Sequence, residues 1–196
     1  MRFIAGADEA GRGALAGPLV AAAVLFDYQR LEGQAERALA ALDDSKRHGA
    51  QARQELFPAV LRAAARVAVV TRSVAAIESE GLHATNLAAL ADALTAVCAG
   101  ISGPHLCLVD GFALPALAAP QLAVRGGDRS SAAIAAASII AKVTRDRVME
   151  SAAGVFPHWG FAQHVGYSTA EHRQAIRCHG VSPLHRLSFR SAAFGG

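Results

Sequence analysis

The chain has 196 residues, of which 53% are hydrophobic and 18% are charged, with a net charge of +3. This length suits one domain with a sizeable core, and the composition excludes a disordered chain. Its apolar runs are too short to span a bilayer and no leader pattern opens the chain, so we expect a cytoplasmic protein. Residues 121–196 contain nine basic and four acidic residues, whereas residues 1–120 contain ten basic and twelve acidic residues. That asymmetry fits a polyanionic partner and fits a solvated basic face equally well.

The hydrophobic patterns predict a hairpin, a third strand, and then alternating helices and strands. The predicted strands are 3–7, 19–26, 67–71, 105–109 and 122–124. The predicted helices are 50–65, interrupted at Pro58, then 84–99, 131–150, and a last helix that ends at Gly180. Ser168 is the predicted N-cap of that last helix, with Glu171 as its capping-box partner. This order predicts a single α/β domain over 1–196 with a mixed sheet flanked by helices, and 181–196 as a short irregular tail.

Four acidic residues stand where predicted strands end. Asp8 and Glu9 follow the first strand, Asp110 follows the fourth, and Asp128 lies between the fifth strand and the long helix. Loops at strand ends gather reactive groups in α/β proteins, and carboxylates brought together there repel unless a cation joins them. Oxygen ligands without histidine or cysteine favour Mg²⁺ or Mn²⁺. Each acid by itself is at least as well explained as a solvated turn residue.

Six blocks of the sequence carry recognisable motifs. They are AGADEAGRG at 5–13, LDDSK at 42–46, LVDG at 108–111, GD at 127–128 with IAAASIIAKVTRDR at 134–147, GFAQH at 160–164 with GY at 166–167, and PLHRLSF at 183–189. Together they resemble ribonuclease HII, the type 2 ribonuclease H, along nearly the whole chain. One block alone is compatible with chance, whereas six in the family's order are not easily explained that way.

The resemblance implies a ribonuclease H-like fold, in which a mixed five-stranded sheet is flanked by helices. It also implies an endonuclease that cuts RNA paired with DNA on the 5′ side of ribonucleotides, including single ones in duplex DNA. The family leaves 5′-phosphate and 3′-hydroxyl ends, works by two-metal catalysis with Mn²⁺ or Mg²⁺, and serves DNA replication and repair. Asp8, Glu9, Asp110 and Asp128 match its catalytic, metal-binding positions. We expect a monomer that binds RNA–DNA hybrids and ribonucleotide-containing DNA, and no membrane.

The same resemblance assigns substrate contacts to a glycine-rich loop and a tyrosine. Gly11, Arg12 and Gly13 match the loop whose backbone reads the 2′-hydroxyl, the group that distinguishes RNA from DNA. Tyr167 matches the tyrosine that stacks on the sugar of the adjoining nucleotide. Without the resemblance, a plain tight turn and a core tyrosine explain these residues as well.

Three basic residues are candidates for phosphate contacts, namely Lys46, Lys142 and Arg145. On the long predicted helix, Ser138, Lys142 and Arg145 are spaced four and three residues apart and so share a face. A solvated polar stripe is the alternative explanation. Asp146 is predicted to be a structural ion-pair partner rather than a metal ligand, and His164 and His185 are given no role.

The chain departs from the family pattern in three places. Val165 and Gly126 stand where lysine is common, and the segment 77–82 is one residue shorter and differs at Glu78 and Gly81. These changes predict weaker substrate binding and spare all four acids.

Two other functions stay open at this stage. One is a hybrid-binding module without catalysis, although uncompensated carboxylates would repel a phosphate backbone. The other is a different nuclease on the same fold, such as a type 3 ribonuclease H or a junction resolvase.

Overall fold

A mixed five-stranded sheet forms the centre of the molecule, in a computed structural model that describes residues 1–31, 42, 49–103 and 105–189. The strands are β1 (Phe3–Ala10), β2 (Leu19–Asp27), β3 (Arg66–Arg72), β4 (His105–Asp110) and β5 (Gln121–Val124). Their order is β3-β2-β1-β4-β5. The pairs β1–β2 and β2–β3 are antiparallel, whereas β1–β4 and β4–β5 are parallel. The predicted mixed sheet is therefore confirmed.

Helices cover both faces of this sheet. They are α1 (Ala50–Ala63), α2 (Val74–Glu80), α3 (Leu82–Cys98), α4 (Ala132–Val155), α5 (Phe161–His164) and α6 (Ala170–His179), with 3₁₀ turns at Gly127–Arg129 and Pro157–Trp159. One hydrophobic cluster joins α3 to the sheet, and a second joins α1 and α4 to its opposite face. Among the described helices, none has the length and apolar character needed to cross a membrane.

The two-residue period of the strands decides which face each side chain joins. Ala21 and Ala23 of β2 belong to the α3 cluster, whereas Ala22 and Val24 belong to the α4 cluster. All nine residues of β2 are buried as a result. On β1, a Cβ added to Gly6 would lie 2.1 Å from a backbone atom of α4. The absence of a side chain at Gly6 therefore lets α4 pack directly on the central strand.

Four details of the predicted elements are wrong. β1 continues through Asp8 and Glu9, whereas the apolar pattern predicts that the strand ends at residue 7. α1 runs through Pro58 without interruption. The apolar residues that flank Pro58 pack on the core, and the free energy of their burial outweighs the loss of the hydrogen bond that proline cannot donate. Gly81, with a φ of +82°, separates α3 from an unpredicted helix, α2. α4 extends to residue 155, beyond the predicted end at 150.

The N-cap of α6 also differs from the prediction. The Thr169 hydroxyl, rather than that of Ser168, accepts a hydrogen bond from the His172 N–H at 3.1 Å. The Ser168 hydroxyl instead accepts a bond from Arg173, which removes it from the capping role. The predicted end at Gly180 is confirmed. Residues 181–189 form turns and a bridge to β1–β2 loop residue Ala16, while 190–196 lie outside the described residues.

Candidate active site

The ends of β1 and β4 bring predicted acids together. These strands are parallel neighbours, paired up to the residues that directly precede Asp8 and Asp110. Asp110 Oδ1 accepts a hydrogen bond from the Gly127 N–H at 2.7 Å. That bond ties the turn carrying Asp128 to the end of β4, so the third and fourth acids belong to one local structure.

Asp8 lies in a buried and negatively charged environment. It is 8% exposed, and its carboxylate accepts hydrogen bonds from Ser138 of α4 and from the Glu9 N–H, the latter at 2.8 Å. Burial raises the pKa of Asp8 to about 7, and the carboxylates of Glu9 and Asp110 add to the rise. A cation at this position would relieve that accumulation of negative charge.

Glu9 has a similar environment and two polar neighbours. Burial raises the pKa of Glu9, while Arg12, whose Nη1 lies 3.8 Å from Oε1, and Asn86 of α3 act in the opposite direction. Asn86 is fully buried, and neither atom of its side-chain amide has a hydrogen-bond partner of normal geometry within the described residues. A buried polar group without a partner costs about 1–3 kcal/mol. The pocket beside Glu9 therefore fits an additional polar group such as a hydrated cation.

A single cleft of about 430 Å³ links the acids to the predicted substrate residues. Glu9, Asp128 and the Asp8 partner Ser138 line this cleft. Five predicted substrate residues also line it, namely Gly11, Arg12, Gly13, Lys142 and Tyr167. Tertiary structure thus collects, at one opening, residues that are far apart in sequence.

The acids are neighbours without being closed around one point. Within the parts of the chain that the structure describes, no three acidic, histidine or cysteine side chains are arranged to hold a metal ion. Like charges repel, so ionised carboxylates approach one another closely when a cation or a shared proton lies between them. The donor set, which is all oxygen, suits Mn²⁺ or Mg²⁺, and the negative charge that accumulates around buried Asp8 fits such an ion.

The glycine-rich loop, Gly11–Gly13, presents backbone atoms to the cleft, because its two glycines line the cleft and have no side chains. Gly11 has a φ of +89°, a conformation that favours glycine. The Arg12 guanidinium lies 4.7 Å from the centroid of the Phe112 ring and also faces Glu9. The side chain of Arg12 is thus engaged with the protein.

Tyr167 and Lys142 stand next to each other on the opposite wall. Lys142 Nζ lies 5.3 Å from the centroid of the Tyr167 ring and 2.7 Å from Asp146 Oδ1. The prediction that Asp146 is an ion-pair partner is confirmed, with Lys142 as its cation. The Tyr167 carbonyl bonds His172 Nδ1 at 2.9 Å, which helps to fix the backbone of the tyrosine.

The predicted phosphate contact of Arg145 is wrong. Arg145 is 0% exposed, and its guanidinium donates to the carbonyl oxygens of Pro18, Ala16 and Val165 at 2.9–3.0 Å. Arg145 lies on the same face of α4 as Lys142, about one turn nearer the C-terminus, and there the loop after β1 covers the helix. Lys46, the third predicted phosphate contact, lies outside the described residues.

Sequence reasoning missed three residues of the site. Arg53 of α1 and Arg129 line the cleft and add positive charge to it, and Asn86 lies beside Glu9. Arg129 directly follows Asp128, which is a local signal. Arg53 and Asn86 sit inside ordinary helical patterns, so only the packing of α1 and α3 brings them to the site.

Three departures from the family pattern, Val165, Gly126 and Gly81, have positive φ, whereas Glu78 lies in a regular helix. Val165 has a φ of +43° and its carbonyl oxygen accepts a hydrogen bond from Arg145, and Gly126 has a φ of +61° just before the turn that carries Asp128. Glu78 accepts hydrogen bonds from the Ser188 N–H and hydroxyl, which joins α2 to the C-terminal turns. Weaker substrate binding from these changes stays a prediction.

Solved structures define the class of protein. Ribonuclease H2 from Pyrococcus horikoshii OT3 matches with a TM-score of 0.78 and 24% identity, covering 98% of this chain and 95% of that one. The ribonuclease HII of Archaeoglobus fulgidus, solved in complex with PCNA, matches with a TM-score of 0.79 and 26% identity over 96% of both chains. Bst-RNase HIII in complex with Mn²⁺ has a TM-score of 0.77 at 20% identity, and the match covers 98% of this chain and 68% of that one. The fold is therefore that of a ribonuclease H.

Sequence comparisons identify the family within that class. The ribonuclease HII family model matches residues 5–192. Ribonuclease HII from Rhodococcus erythropolis is 45% identical over 194 residues, 98% of this chain and 82% of the relative. The enzyme from Rhizobium johnstonii is 48% identical over 189 residues, 95% and 77% respectively. The chain belongs to the ribonuclease HII family, whose members cleave the RNA strand of RNA–DNA hybrids, and the resemblance seen in its motifs is confirmed.

Proposed function

We propose that this chain hydrolyses the phosphodiester on the 5′ side of a ribonucleotide, in RNA–DNA hybrids and at single ribonucleotides in duplex DNA. The products carry 5′-phosphate and 3′-hydroxyl ends. The observation that supports this most directly is the cluster of buried Asp8 with the partly buried Glu9 and Asp110, beside a cleft with basic walls. The enzyme acts as a cytoplasmic monomer in ribonucleotide removal during DNA replication and repair.

The four acids would hold Mn²⁺ or Mg²⁺ in this function. When bound, two such ions supply an activated water and stabilise the departing 3′ oxygen. Ser138 orients the Asp8 carboxylate, and the Gly127 N–H orients that of Asp110. These hydrogen bonds hold the ligand oxygens in position before substrate arrives.

The cleft walls divide substrate recognition between sugar and phosphate. The backbone of Gly11, Arg12 and Gly13 reads the 2′-hydroxyl, and Tyr167 contacts the sugar of the adjoining nucleotide. Lys142, with Arg53 and Arg129, contacts the phosphates. Phosphate contacts give affinity without sequence preference, which suits an enzyme that must act wherever a ribonucleotide occurs.

The test is cleavage of a duplex DNA that carries one ribonucleotide, with and without Mn²⁺. We expect wild type to cut just 5′ of the ribonucleotide, and Asp8→Asn to lose nearly all activity because one metal-binding charge is removed. Asp92→Asn is the matched control, since Asp92 is an exposed carboxylate on α3 that pairs with Arg72. Equal cleavage by wild type and Asp8→Asn would remove Asp8 from the mechanism.

A substrate panel separates the alternative functions. It contains an RNA–DNA hybrid, the single-ribonucleotide duplex and a Holliday junction. Binding of the hybrid without cleavage in either Mg²⁺ or Mn²⁺ would indicate a binding module, and cleavage of the junction alone would indicate a resolvase. The ribonuclease HII family match favours the single-ribonucleotide duplex.

A further inference from the structure

Two fully buried arginines meet beneath the loop that follows β1. Arg145 of α4 and Arg186 are both 0% exposed, and neither has a carboxylate within ion-pair distance among the described residues. Their guanidinium groups donate instead to six backbone carbonyls, those of Gly11, Arg12, Ala16, Gly17, Pro18 and Val165. Burying a cation is costly unless its donors are satisfied, so these carbonyls make the arrangement stable.

Arg186 fixes the orientation of two particular peptide groups. Its Nη1 donates to the carbonyl oxygens of Gly11 at 2.7 Å and Arg12 at 3.1 Å. In a trans peptide the C=O of one residue and the N–H of the next point in opposite directions, and the described chain has no cis peptide. The N–H groups of Arg12 and Gly13 therefore point away from Arg186.

The side of the loop opposite Arg186 is the side that faces the cleft. Arg186 is buried, whereas Gly13 is exposed and both Arg12 and Gly13 line the cleft. Neither the Arg12 N–H nor the Gly13 N–H donates a hydrogen bond to another described residue. The loop thus offers two adjacent donors to an oxygen atom in the cleft.

Arg145 supports the same loop from below. A Cβ added to Gly11 would lie 1.9 Å from Arg145 Nε, so the arginine side chain packs directly against the glycine. Its bonds to Ala16 and Pro18 fix the far end of the loop, and its bond to Val165 joins the loop to the segment that carries Tyr167. One side chain thereby couples both walls of the cleft.

We infer that Arg186, supported by Arg145, is a positioning residue for ribose recognition, because it turns the N–H groups of Arg12 and Gly13 toward the 2′-oxygen of the substrate. This inference rests on the proposed function. Two oriented N–H groups suit an oxygen acceptor, and a deoxyribose offers none at that position. Arg186 therefore acts on the discrimination between ribose and deoxyribose, and not only on stability.

The experiment measures KM for the single-ribonucleotide duplex and Ki for the same duplex made entirely of DNA, used as a competitor. In Arg186→Lys the charge remains but the planar guanidinium that holds three carbonyls is lost, so we expect KM to rise roughly tenfold while Ki stays within about twofold. Arg145→Lys changes KM in the same direction. Arg147→Lys is the control, because Arg147 is exposed on the same helix and bonds Gln54.

The readout separates positioning from folding, since KM and Ki do not depend on the fraction of enzyme that is folded. An unchanged ratio of KM to Ki in Arg186→Lys would overturn the inference while leaving the proposed function intact. Failure of wild type to cleave would instead count against the proposed function. A second measurement needs no arginine variant and uses Asp8→Asn, which should bind the duplex without cutting it. The amide NMR signals of Arg12 and Gly13 should shift when the ribonucleotide duplex is added and not when the all-DNA duplex is added. Equal shifts with both duplexes would also overturn the inference.

Discussion

Replacement of Gly6 by alanine tests how closely α4 must pack on the central strand. The added Cβ would lie 2.1 Å from the Ala133 carbonyl carbon, 2.3 Å from its oxygen and 2.4 Å from the Ile134 nitrogen. Ordinary contacts begin at 3.4 Å, so helix and strand must separate by roughly 1 Å. All three obstructing atoms are backbone atoms, which cannot rotate away as a side chain can. The strain is therefore at the upper end of the range for overpacking, about 3 kcal/mol.

Urea unfolding measures this cost directly. We expect the Gly6→Ala midpoint to fall by about 1 M, and cleavage activity to fall as well, because α4 carries Ser138 to the Asp8 carboxylate. Gly154→Ala in the same helix is the matched control, since its Cβ would meet nothing within 4 Å and helix propensity favours alanine by up to about 1 kcal/mol. An unchanged midpoint in Gly6→Ala would refute the close packing of α4 on β1.

Three further predictions follow from single contacts. Lys142→Ala should reduce the slope of log affinity against log salt by about 0.9, the loss of one phosphate contact, whereas Arg147→Ala should leave it unchanged; equal slopes in all three proteins would exclude the Lys142 contact. Burial lowers the pKa of His172 to about 4, so the unfolded chain binds more protons between roughly pH 6.5 and pH 4. The free energy of unfolding should therefore fall by up to about 3 kcal/mol as the pH drops through that window, and His172→Gln should flatten the dependence in urea titrations at several pH values. Thr169→Ala should cost about 1 kcal/mol in urea unfolding and Ser168→Ala a few tenths; the opposite order would restore Ser168 as the N-cap.

Local patterns in the sequence predicted the elements that depend on hydrophobic periodicity. The five strands, the long helix that carries Ser138 and Lys142, and the end of α6 at Gly180 were all visible as apolar runs and breaker residues. The acids at the ends of β1 and β4 were visible for the same reason, because strands place their last residues at the same edge of a parallel pair. The errors arose where packing outweighs local preference, as at Pro58 inside α1.

Short-range patterns and motifs were enough to predict the mixed sheet, the family, and the acids and glycine-rich loop that line the cleft. The roles of Arg145 and Asn86 depend instead on packing between distant parts of the chain. The carbonyls that Arg145 bonds on the loop after β1 stand 127 and 129 residues away in the chain, and Asn86 reaches Glu9 only because α3 packs on the sheet. Helical periodicity places Arg145 on the same face as Lys142, but it does not say which part of that face another segment will bury. That outcome depends on contacts between distant segments, which no local window of sequence contains.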